Sequence, residues 1–562
     1  MLANLERSLA AELLDLYGLV AQFLLSTEAT LVYYNPASLD CSWSVLWRRH
    51  LTAHPQIVWQ LSYPQPELYD RINGGGLLVL ACLSEDSSSI SQLENLATSL
   101  NHLRTSVRLL IEVAAFDEES LASRLLSFCL RRSILQVELY FRNTNHSPWN
   151  LYSYHPFPNF ELVKRNISSG NKVEIFENKL VDLRGHRLRV MPDLSPPNTF
   201  FYRDERDENQ VAGYLWDFMD TFAGRLNATL RMVRPKFRAG VAPESSYMLQ
   251  YTAQGLIDVG LTTTLITRRN LWAMHQYTYP ILISSWCTML PVERPLKTPD
   301  LFNRILCPAL AVILLLVILI TWLAFGHLNC LLLLRNSRMA RIVPRLLALL
   351  LLTTSSSQLL SLLISPPYQE RITSFEDLLR GDQRILGMRS EFYDFDGAFR
   401  ARYAGIFYLI DDPDELYDLR NHFNTTWGYT MAYIKWLVIN TQQRHFAKPV
   451  FRWAKDLCFI DFMPTSIVVA PDSIYWEALK DFSLAADRAG LLKHWVRKSF
   501  YDMVKAGKMS IKDYSELVTL EPLNVADLQL VWRICGAAIA AATGIFLMEL
   551  LFFYVNVFLN SL

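Results

Sequence analysis

Two uncharged apolar runs, ILCPALAVILLLVILITWLAF at Ile305 to Phe325 and LLALLLLTTSSSQLLSLLI at Leu346 to Ile364, stand close together past the middle of the chain. A third, GAAIAAATGIFLMELLFFYVNVFL, runs from Gly536 to Leu559. A bilayer core of about 30 Å takes roughly 20 apolar residues of helix, so each run is long enough to cross. Polar-patterned sequence fills the long interval between the second run and the third. Crossings in these places divide the polar chain into two blocks on one side of the membrane. In such a layout a ligand-binding module is interrupted by helices that it can pull on as it closes.

Composition agrees. Of the 562 residues, 51% are hydrophobic and 12% aromatic, enough for folded cores as well as spans. Lys+Arg and Asp+Glu are equal at 54 each with no long basic run, so nucleic acid is not an expected partner. The eight cysteines (Cys41, Cys82, Cys129, Cys287, Cys307, Cys330, Cys458, Cys535) show no CxxC spacing, and the 11 histidines do not cluster. No metal or other cofactor is therefore expected, and the disulfide pairing stays open. The chain lacks a nucleophile elbow, a metal-spaced His/Glu pair and a P-loop; Gly74 to Gly76 reads as a turn, because no Lys follows it. An enzyme is not expected.

Two chemistries orient the spans. Arg335, Arg338, Arg341 and Arg345 crowd the short loop between the first two, with no acid among them, which marks the cytoplasmic side. Four sequons, at Asn145, Asn166, Asn227 and Asn424, fall in the blocks this orientation places outside, where they are candidate glycosylation sites. An outside first block calls for a secretory signal. Leu13 to Leu25 carries Asp15 and makes a poor one, so either the start lies upstream or this stretch is a cryptic signal.

Residues 1–190 alternate strand and helix: strands at Leu77 to Leu83, Val107 to Val113 and Leu135 to Phe141, helices at Ile90 to Leu103 and Leu121 to Leu130. The alternation predicts a small α/β domain with a mostly parallel sheet. The theme returns past residue 198. GYLWDFMDTFAGRLNATLRM, from Gly213, puts Leu215, Phe218, Met219, Phe222 and Leu226 on one helical face and breaks at Asn227. A strand at Gly255 to Gly260, then Thr262, Thr263 and Thr264, then Tyr277 to Pro280, follow.

These elements, in this order around the apolar runs, resemble the ionotropic glutamate receptor superfamily and most closely its divergent insect branch, the chemosensory ionotropic receptors. The similar pieces are Gly213 to Asp217, Gly255 to Asp258, Thr262 to Arg268, Tyr277 to Pro280, Arg341 to Val343, ITSFEDLL from Ile372, and SIYWEALKDFSLAADRAGLLKHW from Ser473 with Gly490 and Trp495 at its turn. The likeness covers roughly residues 198–560. It implies an α/β fold plus membrane helices: a reduced extracellular α/β N-terminal domain (1–190) and a bilobed, periplasmic-binding-protein-like clamshell split by membrane helices. Lobe 1 is expected over 191–300, the first two spans over 301–365, lobe 2 over 366–527, and the third span with a short tail over 528–562. Only Gly326 to Ala340 is left for a re-entrant pore segment, with Leu331 to Leu334 as a vestigial pore helix.

What the resemblance implies for function follows residue by residue. An Arg of lobe 1 takes a ligand carboxylate in amino-acid-binding relatives, and Arg268 and Arg269 are the candidates, beside Thr264; a plain surface cation is the other reading. In lobe 2, around Ala432, Tyr433, Ile434, Lys435 and Trp436, no acid stands where an amine partner is expected, so Tyr433 is the candidate there. Tyr429, Tyr433, Trp436, Trp453, Phe459 and Phe462 suit either a less polar ligand or a core. In the second span Thr354, Ser357, Gln358 and Ser361 are the pore-lining candidates, with helix packing as the alternative. Glu549 is an intramembrane carboxyl of the third. The expected partners are a small-molecule ligand, membrane lipid and other ionotropic receptor subunits including a co-receptor, in a heterotetramer at the plasma membrane. The expected activity is that of a ligand-gated cation channel subunit for taste or smell, or else of a non-conducting tuning subunit.

Overall fold

The computed structural model describes residues 29–43, 56–60, 76–85, 88–113, 119–141, 150–166, 175–203, 208–234, 245–266, 271–296, 364–515 and 529–560, with scattered single positions between them. Two large sheets organise these residues.

In the first sheet, β1 (Thr30–Tyr34), β2 (Gln56–Trp59), β3 (Leu77–Leu83), β4 (Val107–Val113) and β5 (Gln136–Phe141) are parallel in the order β2-β1-β3-β4-β5. β6 (Asn150–His155) and β7 (Glu161–Asn166) extend its edge antiparallel. LLVLACL of β3 is buried along its whole length, as a central parallel strand covered on both faces must be. Val79, Leu109 and Val137 face α1 (Ser88–Ser99) and α2 (Glu119–Arg131), while Leu80, Leu110 and Tyr140 pack with Trp43 on the other side. β3 and β4 keep the bounds expected of them; the first helix ends earlier, at Ser99, and His102 beyond it is left-handed.

β9 (Phe200–Arg203) and β10 (Asn209–Ala212) pair as a separate antiparallel ribbon, and eight strands, β8 and β11 to β17, build the second sheet. At one end lie β8 (Arg187–Pro192), β11 (Thr229–Met232) and β12 (Val259–Leu265); at the other, β14 (Arg384–Met388), β15 (Phe407–Ile410) and β16 (Trp427–Ala432). β13 (Leu282–Pro291) and β17 (Phe451–Val469) cross between the two ends as an antiparallel pair, Leu282 opposite Thr465 and Pro291 opposite Phe451. Cys287 and Cys458 face each other midway and are joined by a disulfide. This settles one pairing that the spacing of cysteines left open.

The short motifs have structural roles. Asp258 accepts from the backbone N and guanidinium of Arg189, with a closest approach of 2.6 Å, which fastens β8 to the start of β12. Tyr214–Arg225 forms α3, burying Leu215, Phe218, Met219 and Phe222 as the periodicity demands. It stops at Leu226, and Asn227 follows in the left-handed region at φ 50°. Gly213 precedes it at φ 121°, and a Cβ there would collide with the backbone of Asn198 and Thr199. In the other half, Ser374 and Asp377 cap α4 (Phe375–Arg380) reciprocally: Asp377 N donates to Ser374 Oγ at 3.2 Å, and Ser374 N to Asp377 Oδ2 at 2.9 Å.

Trp476–Arg488 and Leu491–Lys505 form α5 and α6, an antiparallel pair turned at the left-handed Gly490. Drawn with the second lobe from sequence, they pack on α3 of the first: Phe482 lies 5.1 Å from Phe218, Trp495 meets Phe218 edge-on, and Lys498 pairs with Asp217 at 2.9 Å. The N-terminal domain touches the same region, through Arg104 to Asp472 at 3.0 Å and a stacked His102–His275 pair.

The chain leaves and returns to the second sheet at one place. Leu296 N donates to Pro367 O at 2.9 Å and Gln369 N to Arg294 O at 3.0 Å, so the flanks of the two central apolar runs form a two-stranded stem. Most of the first run and all of Leu331 to Leu334 lie outside the described residues, and the described positions of the second run are helical. Among the described residues one helix, α7 (Gln529–Asn560), is long and apolar enough to cross a membrane, over Cys535–Val555. It coincides with the third of the expected spans.

Gly213→Ala should destabilise the purified full chain by about 1–3 kcal/mol from the backbone conformation alone, and more from the collision. Gly224→Ala, inside α3 with open space around its added methyl, should be neutral or stabilise by up to about 1 kcal/mol. Thermal unfolding of both variants checks this pair.

Candidate functional site

β13 and β17 set the two ends of the second sheet against each other, and polar side chains from both meet beside them. Asp193 directly follows β8 and is wholly buried. Its carboxylate accepts from Thr199 Oγ1 at 2.6 Å, Asn198 Nδ2 at 2.7 Å and Ser195 N at 3.1 Å. Burial pushes its pKa up from 3.8 to about 6, against those hydrogen bonds and the positive charge of Lys435 across the junction.

The opposite half contributes Tyr417 and Arg420 from α8 (Pro413–Asn421), Lys435 from α9 (Tyr433–Gln443), and Glu391 from the single turn Arg389–Phe392. Lys435 Nζ lies 5.9 Å from the Tyr417 ring centre, and the buried Arg420 guanidinium lies 4.8 Å from it. Lys435 first, aided by Arg420 and a hydrogen bond to Ser195, draws the Tyr417 phenol below its usual pKa. Glu391 accepts from Thr430 Oγ1 at 3.1 Å; burial raises its pKa, and Lys435 and Arg420 oppose the rise. Two acids and two cations thus gather where the halves meet, in balanced charge. Hydrogen-bond donors and acceptors of both charge signs are brought to one place.

The residues expected from sequence are distributed differently. Arg268 and Arg269 lie outside the described residues. Thr264 is on β12, buried, and its hydroxyl has no hydrogen-bond partner among the described residues, like that of its register neighbour Ser466 on β17. Tyr433 opens α9, partly exposed, with its ring 5.6 Å from Trp453. Of the aromatics, Tyr429 and Trp436 are buried core, Phe459 stacks on Phe395 at 4.4 Å, and Phe462 is exposed. The acid missing around Ala432 is supplied by Glu391 from another element; nothing periodic surrounds it in sequence, so only the fold brings it to Thr430 and Lys435. Asp193, Tyr417 and Arg420 were likewise missed.

Thr354, Ser357 and Ser361 are exposed helical positions, and Gln358 lies outside the described residues. Thr354 Oγ1 donates to Leu350 O at 2.8 Å and Thr353 Oγ1 to Leu349 O at 3.0 Å, so these hydroxyls are satisfied by their own helix. Asn227 is exposed and donates to Asp182; Asn424 Oδ1 accepts from Thr426 N of its own sequon at 2.9 Å. Asn166 ends β7, and Asn145 lies outside the described residues.

Neither a protein-family model nor a curated protein matches this chain. Among solved structures, the AvGluR1 ligand-binding domain in complex with serine is similar at 13% identity and a TM-score of 0.32, over 57% of this chain and 97% of that one.

Since Asp193 has a folded pKa raised above its ordinary value, the folded state takes up a proton between about pH 4 and pH 6, and Asp193-dependent stability falls as pH rises through that window. Asp193→Asn removes the titration. The stability advantage of the parent chain over the variant should shrink by up to about 3 kcal/mol between pH 4 and pH 7.5, because each tenfold change in proton affinity is worth about 1.36 kcal/mol. Unfolding curves across that range check the sign.

Proposed function

We propose that this chain is a subunit of a ligand-gated cation channel, a divergent chemosensory member of the ionotropic glutamate receptor superfamily, with the second sheet as its extracellular ligand sensor and no catalytic role. A small polar ligand enters between the Asp193 and Lys435 faces, and the halves rotate about β13 and β17. The single observation that carries the proposal is the stem at Arg294 to Leu296 and Pro367 to Gln369. It makes everything between residues 296 and 367, including both central apolar runs, an insertion in the sensor, so that motion of the halves is delivered to the membrane at one point. In this reading the first domain is also outside the cell, the three apolar runs all cross the plasma membrane, and the subunit assembles with others of its kind, including a co-receptor.

A second reading is favoured by the hydroxyls of Thr353 and Thr354. Because their own helix satisfies them, that helix does not need a water-filled pore beside it, and the chain could serve as a non-conducting binding or tuning subunit.

Replacing Ser357 and Gln358 by leucine in the full chain, expressed with a co-receptor, separates the two. A pore-lining role predicts loss of current or a changed reversal potential in the double variant; unchanged selectivity and gating would favour the tuning subunit. Topology is checked with Asn227→Gln and Asn424→Gln. Each should lose one glycan shift on endoglycosidase-resolved gels, and a shift lost at only one of the two positions would contradict a sensor that lies on a single side.

A further inference from the structure

The N-terminal domain holds a cluster for which the ligand sensor has no use. Cys41 lies beyond the end of β1, Cys82 is on β3 and Glu112 is on β4, and all three are buried. Both sulfurs and a Glu112 carboxylate oxygen lie within 4.8 Å of one another. Two chemistries fit such a set: a metal held by two thiolates and a carboxylate, or a bond between the sulfurs.

Glu112 decides between them. One carboxylate oxygen accepts from Ser42 N and Ser42 Oγ, both at 3.0 Å, and the other from Tyr140 OH at 2.7 Å. With three donors on it, the carboxylate serves as a latch that holds the segment carrying Cys41 against the sheet. Two sulfurs without it fall short of the four ligands of a closed structural metal site. What the latch does accomplish is to hold Cys41 beside Cys82, on a central strand that cannot move away.

We propose that Cys41 and Cys82 form a disulfide in the mature protein, a second staple beside Cys287–Cys458. This rests on the extracellular placement of the N-terminal domain given above, since disulfides persist in that compartment. The sulfurs close from within 4.8 Å to about 2.05 Å as the bond forms. In the step, the two thiols give up two protons and two electrons to the disulfide of an oxidising thiol–disulfide oxidoreductase. The sulfur–sulfur bond of the oxidant breaks, it leaves as a dithiol, and the Cys41–Cys82 bond forms. It takes place while the sheet is assembling, because both sulfurs are shielded from a protein oxidant once β3 is covered. The product ties the end of β1 to β3 and encloses the edge strand β2 in the loop between them.

The test uses the full chain made through the secretory route, denatured without reductant, alkylated with N-ethylmaleimide, digested and read by mass spectrometry before and after dithiothreitol. The expected result is a linked Cys41–Cys82 peptide with no label at either residue before reduction and full label after it. Cys287 and Cys458 report the compartment in the same digest. Label on Cys41 and Cys82 while Cys287–Cys458 is linked would overturn the proposal and leave the extracellular placement intact. Label on all four would overturn both. One equivalent of zinc in the native protein, with Cys41 and Cys82 labelled on denaturation, would overturn the disulfide in favour of a metal centre.

Discussion

The antiparallel pairing of β13 with β17 is the constraint on which the second sheet depends. Every residue of one end reaches the other through these two strands or through side chains packed beside them. Their register is interrupted three times between Ser284 and Thr288, and Lys455 to Leu457 bulge out where Thr288 Oγ1 donates to Leu457 O at 3.1 Å. Bulges increase local twist and bend a strand. The Cys287–Cys458 bond holds the pair together at that bend and closes a separation of 171 residues, stabilising the fold by roughly 4 kcal/mol through the unfolded state.

What lies beside β13 and β17 explains why polar groups can collect there. α6 packs on α3 through Trp495 and reaches the residues just beyond α9 through the stacking of Phe500 on His445, so one apolar core runs past both halves. Charges left in such a place are costly unless they answer one another. Asp193 answers Lys435 across it, while Glu391 answers Lys435 and Arg420 within its own half. A junction with this balance favours the arrangement of the halves that best satisfies these charges.

Some of this was legible residue by residue. The seven apolar positions of β3 read as a buried strand, and the stripe from Leu215 to Phe222 after Gly213 as one face of a helix, and both formed. Asp217 and Asp258 stood out in their motifs, yet their partners, Lys498 and Arg189, did not. Glu391 shows the limit most clearly. It stands in a single helical turn with no repeat around it, and the sequence neighbours of Ala432 hold no acid, whereas the sheet pairs β14 with β16 and delivers one from beyond β14 to the side chain of Thr430. The aromatics were ambiguous for a related reason: Tyr429 and Phe462 look alike in a sequence and differ only in what covers them.

The amino-acid order by itself determined the lengths and places of the apolar runs, the alternation of strand and helix in the first domain, and the caps and breaks of individual helices. These depend on periodicity and backbone conformation within a few residues, where neighbours in sequence are neighbours in space. Only the tertiary structure decided that Cys287 faces Cys458, that α5 and α6 belong with α3, that the flanks of the two central apolar runs meet in a stem, and which charges meet at the junction. Those contacts join residues far apart in the chain, and their selection lies in strand register and in the shared burial of faces that no single segment can complete alone.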